Sequence, residues 1–144
     1  MKSKRLLLSI ALLALLMLVS FAACSDNNDG ADAPPASTAE DVQTIGQGDT
    51  VFRFEMTDEN GTVHAWDVHT DEETVGAALL AVGLIAGDES EWGLMVIEVN
   101  GVVADWDANQ AFWAFYIDGE FAMAGADETA IESGVTYAFV YTEG

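Results

Sequence analysis

Asp105, Asp107 and Asn109 stand at alternate positions in "DWDAN", a spacing at which side-chain oxygens can converge on a hard cation such as calcium. The register then departs from a twelve-residue calcium loop: its sixth position is Gln110 in place of glycine, and its twelfth is Tyr116 in place of a bidentate glutamate. A partial calcium site and an ordinary polar loop are the two expectations for this stretch. Asp88-Glu89-Ser90-Glu91 is rich in oxygen but has no such register. Nucleophilic catalysis finds even less material. From Thr50 onward the hydroxyl candidates among serines are Ser90 and Ser133, cysteine and lysine are absent, and there is no Gly-x-Ser-x-Gly elbow, so no enzyme activity is expected. His64 and His69 are an odd number of residues apart, which on one strand sends them to opposite faces and rules out a shared metal pair. Carboxylates are so abundant that no pair of them singles itself out as a general acid and base.

Aromatic rings carry more information. "AFWAFYIDGE" places Phe112, Trp113, Phe115 and Tyr116 within five positions and then meets the turn signal Asp118-Gly119. Strand alternation sends Trp113, Phe115 and Ile117 to one face, and Phe112, Ala114 and Tyr116 to the other. A helix can cover one of these faces, which leaves the second for a ligand, a loop or a partner. Trp92 and Trp106 fall in loop-like stretches. Trp92, Trp106, Phe112, Trp113, Tyr116 and Phe121 are therefore the candidate ligand-binding residues, suited to a large, mostly apolar ligand with a few polar groups.

The elements that must position these rings read as strand pairs around one helix. "TVFRFEM" alternates Phe52, Phe54 and Met56 against Val51, Arg53 and Glu55, and Asn60-Gly61 turns it into "TVHAWDVH", a hairpin. "TDEETVGAALLAVGLIAG" shifts to helical period: Val75, Ala78, Leu79, Val82 and Ile85 form one apolar stripe. Thr70 with Glu73 makes a capping-box pattern, Thr74 is a second candidate cap, and Gly87 is the expected stop. "GLMVIEVNGVVADW" predicts a strand, a turn at Asn100-Gly101 and a short return strand, and "GVTYAFVYT" a closing strand. A single helix cannot enclose itself, so the expected fold class is α+β: a β-grasp-like, mostly antiparallel sheet with one helix packed on one face.

The chain around this domain has its own signals. Lys2, Lys4 and Arg5 precede an uncharged apolar run over residues 6–21, short for a membrane span of about 20 residues, so residues 1–23 read as a secretory signal. The single cysteine follows at Cys24, and Phe21-Ala22-Ala23-Cys24 resembles the lipobox of bacterial lipoproteins, in which the cysteine thiol takes a diacylglycerol and the chain is cut before it. Phe21 departs from the usual leucine. With Cys24 outside any domain, no disulfide can form within the chain. Residues 24–49 read as the lipidated cysteine and a flexible acidic linker, rich in Asp, Asn, Gly, Ala and Ser with Pro34-Pro35 and no aromatic residue, and residues 50–144 as one small globular domain. After removal of residues 1–23 the chain keeps Arg53 as its one Lys or Arg against 25 Asp and Glu, a formal charge of −24. Such a surface repels phosphate backbones and anionic head groups, so nucleic acid is excluded as a partner.

The run "TVGAALLAVGLI", the "VNG" turn, "AFWAFYIDGE" and the ending "AGADETAIESGVTYAFVYT", in this order, resemble the transcobalamin C-terminal-like domains of bacterial surface proteins over residues 50–144. The resemblance implies a β-grasp-like fold. In the vitamin B12 carriers this domain closes over a corrinoid held by an α-helical barrel, which this chain lacks. The resulting expectation is a membrane-anchored extracytoplasmic lipoprotein that binds cobalamin, another corrinoid or a similar bulky ligand. A cell-surface protein-interaction or adhesion module, meeting a protein or peptide at a sheet edge, is the alternative.

Overall fold

The computed structural model describes residues 42–144; the signal-like residues 1–23, Cys24 and the linker as far as Asp41 lie outside the described residues. In chain order the elements are β1 (Val42–Gly46), β2 (Thr50–Thr57), β3 (Val63–Thr70), α1 (Val75–Ala81), β4 (Ile85–Ser90), β5 (Gly93–Val99), β6 (Val102–Val103), α2 (Trp106–Asn109), β7 (Ala111–Ile117), β8 (Glu120–Phe121) and β9 (Thr136–Glu143). The described residues are mostly strand, an α+β arrangement.

The β2–β3 hairpin forms where Asn60-Gly61 signalled it. The Asp58 N–H donates to the Thr62 carbonyl at 3.0 Å, and the Asp58 carboxylate accepts from the N–H groups of Asn60 and Thr62, each at 2.9 Å. Gly61 takes the left-handed φ of +78° that the turn requires. The segment read as linker through Asp49 gives way earlier than expected, because Val42–Gly46 is a strand running parallel to β3, with Gln43 beside Trp66 and Ile45 beside Val68.

Thr74, the second of the two candidate caps, is the N-cap of α1: its hydroxyl accepts the Ala77 N–H at 3.3 Å. The helix ends earlier than the expected stop at Gly87. Gly83 adopts φ +71°, its N–H donates to the Leu80 carbonyl and the Leu84 N–H donates to that of Leu79, a Schellman closure. Leu84 and Ile85 nonetheless enter the core, which is why the apolar period continues past the helix. Residues 85–90, read as the helix end and a polar loop, form β4, antiparallel to β5.

The strands make two sheets. The six-stranded sheet has the order β1-β3-β2-β9-β7-β8, mixed because β1 lies parallel to β3 and β2 parallel to β9; the three-stranded sheet, β4-β5-β6, is antiparallel. One face of the larger sheet supplies Phe52, Phe54, Met56, Trp66, Val68, Trp113, Phe115, Tyr137 and Phe139 to a single core, which α1 joins through Val75, Ala78 and Leu79 and the smaller sheet through Ile85 and Val99. Rings interlock there, with Phe115 and Phe139 centroids 5.0 Å apart and Phe54 stacked on Trp66 at 5.7 Å. Burying each such side chain contributes about 1.5–3 kcal/mol, and this core holds the fold without a disulfide. The opposite face, by register, carries Phe112, Ala114 and Tyr116 of β7, Ala138 and Val140 of β9, and Arg53 of β2; Ala114 and Ala138 are buried, whereas Phe112 is exposed.

Candidate functional site: the exposed rings

The six candidate rings divide into one core residue and three surface positions. Trp113 faces inward at 6% exposure, packs edge-on against Tyr141 at 5.5 Å and donates its indole N–H to the Ile97 carbonyl at 3.2 Å. Packing accounts for it. Trp92, by contrast, is 88% exposed at the turn between β4 and β5.

The backbone beneath Trp92 is tightly specified. Its own N–H donates to the Ser90 hydroxyl at 3.1 Å, and that hydroxyl donates to the Gly93 carbonyl at 2.8 Å. Gly93 has φ +98°, and a Cβ there would lie 2.7 Å from the Asp127 Oδ2. That carboxylate accepts the Leu94 N–H at 3.1 Å, tying the start of β5 to the loop after β8. The same loop is held against α1, where the Gly76 N–H donates to the Ala126 carbonyl at 2.7 Å. A large exposed ring thus sits on a turn anchored at both sides. Met95, also exposed, is the third residue of β5.

Trp106 and Phe112 form the second position. Trp106 opens α2, is 53% exposed, and lies 6.4 Å from the ring of Phe112, which is 40% exposed. Asp105 is the N-cap of this short helix: its Oδ1 accepts the N–H groups of Asp107 and Ala108. Asn109 Oδ1 in turn accepts the Asp105 N–H at 2.9 Å, and its amide group donates to the Val103 carbonyl and the Tyr141 hydroxyl. Asp105 and Asn109 thus cap the helix with their side chains. Among the described residues no group of three His, Cys, Asp or Glu could hold a metal ion.

Tyr116 and Phe121 form the third position, paired across the β7–β8 turn with rings edge-to-face at 5.7 Å and Phe121 59% exposed. Asp118 (φ +49°) and Gly119 (φ +80°) make the turn, and Asp118 Oδ1 accepts the Thr136 N–H at 2.8 Å. Trp106 and Phe121 therefore stand at opposite ends of one strand, and Trp92 on the other sheet.

The two histidines lie on opposite faces, as their spacing demands. His64 is in register with Met56 and stacks on Trp66 at 6.2 Å, whereas His69 pairs with Val51 on the other side. His64 Nε2 is 3.2 Å from Asp58 Oδ2. Burial pushes the Asp58 carboxyl up, but the Thr62 N–H, His64 and the Asn60 N–H together hold it below its ordinary 3.8.

Three clefts accompany these surfaces. One of about 400 Å³ lies among Gly46, Gln47, His69, Asp71, Glu72 and Val82; one of about 350 Å³ lies among Thr74, Leu80, Glu89, Gly93 and Asp127; and one of about 250 Å³ lies among Leu94, Met95, Trp113, Phe115 and Ala126. The two larger clefts reach the lower end of the about 300–1,000 Å³ of sites that engulf drug-sized ligands.

The model of a protein family, Domain of unknown function (DUF4430), matches residues 72–143. A crystal structure from Ruminococcus gnavus ATCC 29149, provisionally named a metal binding protein, is 25% identical, with a TM-score of 0.63 over 67% of this chain and 99% of that one. Haptocorrin in complex with Cbi shares the fold at 15% identity, with a TM-score of 0.52 over 65% of this chain; the match spans 25% of haptocorrin. No curated protein matches the chain.

Proposed function

We propose that this chain, which belongs to the DUF4430 family, is a membrane-anchored extracytoplasmic lipoprotein whose β-grasp-like domain binds a bulky, largely apolar ligand without catalysing a reaction. A corrinoid is the leading ligand. The observation that carries this reading is Trp92, 88% exposed on a turn that Ser90, Gly93 and Asp127 hold in place. A bare indole on a rigid support loses little conformational entropy when it stacks on a flat ligand. The fold shared with haptocorrin supports the corrinoid reading, and a corrinoid is itself a cobalt complex, so the name given to the Ruminococcus gnavus structure does not demand a second ligand. Asp105, Asp107 and Asn109 take no part in it, since Asp105 and Asn109 are engaged in capping. Anchoring would follow from lipidation at Cys24, a step tested by whether Cys24→Ala moves the protein from the membrane to the soluble fraction. The ligand is tested by calorimetric and fluorescence titration of the purified protein with cobalamin and cobinamide. Saturable tryptophan quenching that Trp92→Ala abolishes is expected; absence of heat and of quenching at high ligand concentration would overturn the reading.

A second reading, a module that meets a protein, is favoured by the two aromatic pairs on the sheet face opposite α1, Trp106 with Phe112 and Tyr116 with Phe121.

A further inference from the structure

Phe112 and Tyr116 lie on one face of β7 four residues apart, about 13 Å along the strand. Each belongs to an aromatic pair, Trp106 with Phe112 and Tyr116 with Phe121. Between the pairs the same face carries Ala114, with Val140 and Ala138 beside it on β9. The result is a low floor of small side chains, in which Ala114 and Ala138 are themselves buried, with exposed rings standing as posts at each end: Trp106 and Phe112 at one, Phe121 at the other.

Charge around the posts has one sign. Asp105 and Asp107 flank Trp106, Glu143 is in register with Ala111 next to Phe112, and Asp118 and Glu120 flank the turn that presents Phe121. The one Lys or Arg of residues 24–144, Arg53, is paired with Asp67 at 2.8 Å. Nothing of opposite sign is left on the domain to neutralise the rim.

These facts narrow the occupant. Residues 25–41 of this chain carry five carboxylates and no aromatic residue, so they would add like charge to the rim and offer no ring or large side chain to the posts. A second copy would bring another formal −24. Anionic lipid is repelled for the same reason. A cation placed over a ring that acidic groups surround gains both from the ring quadrupole and from the carboxylates.

We propose that this face docks an extended basic segment of another protein, with two arginine or lysine side chains about four residues apart seated on the Trp106–Phe112 and Tyr116–Phe121 pairs. The proposal rests on the second reading above and names its partner chemistry.

The test is fluorescence or calorimetric titration of the purified protein with three peptides: one with arginines four residues apart, one with citrulline at both positions, and one with the arginines adjacent. The first should bind best. Trp106→Ala and Phe121→Ala should each weaken it about tenfold, within the range of a partly desolvated cation–π contact. Trp92→Ala should leave it unchanged. Equal affinity for the arginine and citrulline peptides, with dependence on the rings retained, would overturn the basic chemistry and leave a docking face. Affinity that follows salt alone and is indifferent to Trp106 and Phe121 would overturn both the proposal and the reading beneath it.

Discussion

The Trp113 indole donates its N–H to the Ile97 carbonyl at 3.2 Å, a single hydrogen bond that joins β7 of the larger sheet to β5 of the smaller one. Trp113→Phe keeps most of the ring but removes this bond, leaving the Ile97 carbonyl to the Ala104 N–H alone, at a cost of about 0.5–1.5 kcal/mol. Trp113→Ala adds a cavity and should cost about 3–5 kcal/mol. Urea midpoints of the two variants would rank them, and a Trp113→Phe midpoint equal to wild type would show that the bond holds nothing.

Asp127 should control the Trp92 turn without touching a ligand. Removing its carboxylate in Asp127→Ala leaves the Leu94 N–H without its acceptor, a loss of about 1–2 kcal/mol. Amide exchange is expected to speed up across β4 and β5 while the β2–β3 hairpin keeps its protection. Uniform acceleration would mean that the loop supports the whole domain instead.

Gly76→Ala reverses a familiar sign. In an exposed helix interior the change stabilises by about 1 kcal/mol. Here a Cβ would stand 2.7 Å from the Asp127 backbone nitrogen and 2.8 Å from its Cα, so the loop must move. Overpacking of that kind costs about 1–3 kcal/mol. A net fall in melting temperature is expected, and a rise would mean the loop shifts freely.

Acid should loosen the β2–β3 hairpin through Asp58. Its folded carboxyl titrates below 3.8, so the stability it contributes is present above 3.8 and is lost as pH falls through the lower folded value. Carboxyl NMR should place the Asp58 midpoint below 3.8. A midpoint at or above 3.8 would remove the effect.

Trp92→Ala should change stability by less than about 0.5 kcal/mol, since the ring packs on little. The same substitution should remove ligand-dependent quenching. A large stability loss would make Trp92 a structural residue.

How far the sequence announced this molecule varies with the type of signal. The Asn60-Gly61 and Asp118-Gly119 turns were plain because a left-handed backbone leaves a residue signature. The end of α1 was signalled too, by Gly83 with apolar Leu84 after it, but the apolar period running on to Ile85 outweighed it. β4 gave almost no sign: of its six residues only Ile85 is buried, so there is no alternation to see, and the strand exists because the Ser90 turn folds it onto β5. β1 is likewise short, with only Val42 and Ile45 half-buried, and its pairing with β3 is a tertiary fact. Among the candidate site residues, composition could count the rings but not separate the buried Trp113 from the exposed Trp92, because that depends on the second sheet. The support role of Asp127 leaves no trace in the sequence, because its carboxylate has an acceptor role only once β5 lies beside it.

The parallel pairing of β2 with β9 has a consequence for the timing of folding. β9 lies between β2 and β7, so within the described residues it alone connects the two halves of the larger sheet, matching Arg53 with Thr136 about 80 positions away. The β2–β3 hairpin can close in microseconds from neighbouring residues, but the sheet stays divided until residues 136–143 insert. A barrier set by so remote an encounter points to millisecond-to-second folding, with the inner edges of β2 and β7 unpaired in the interval.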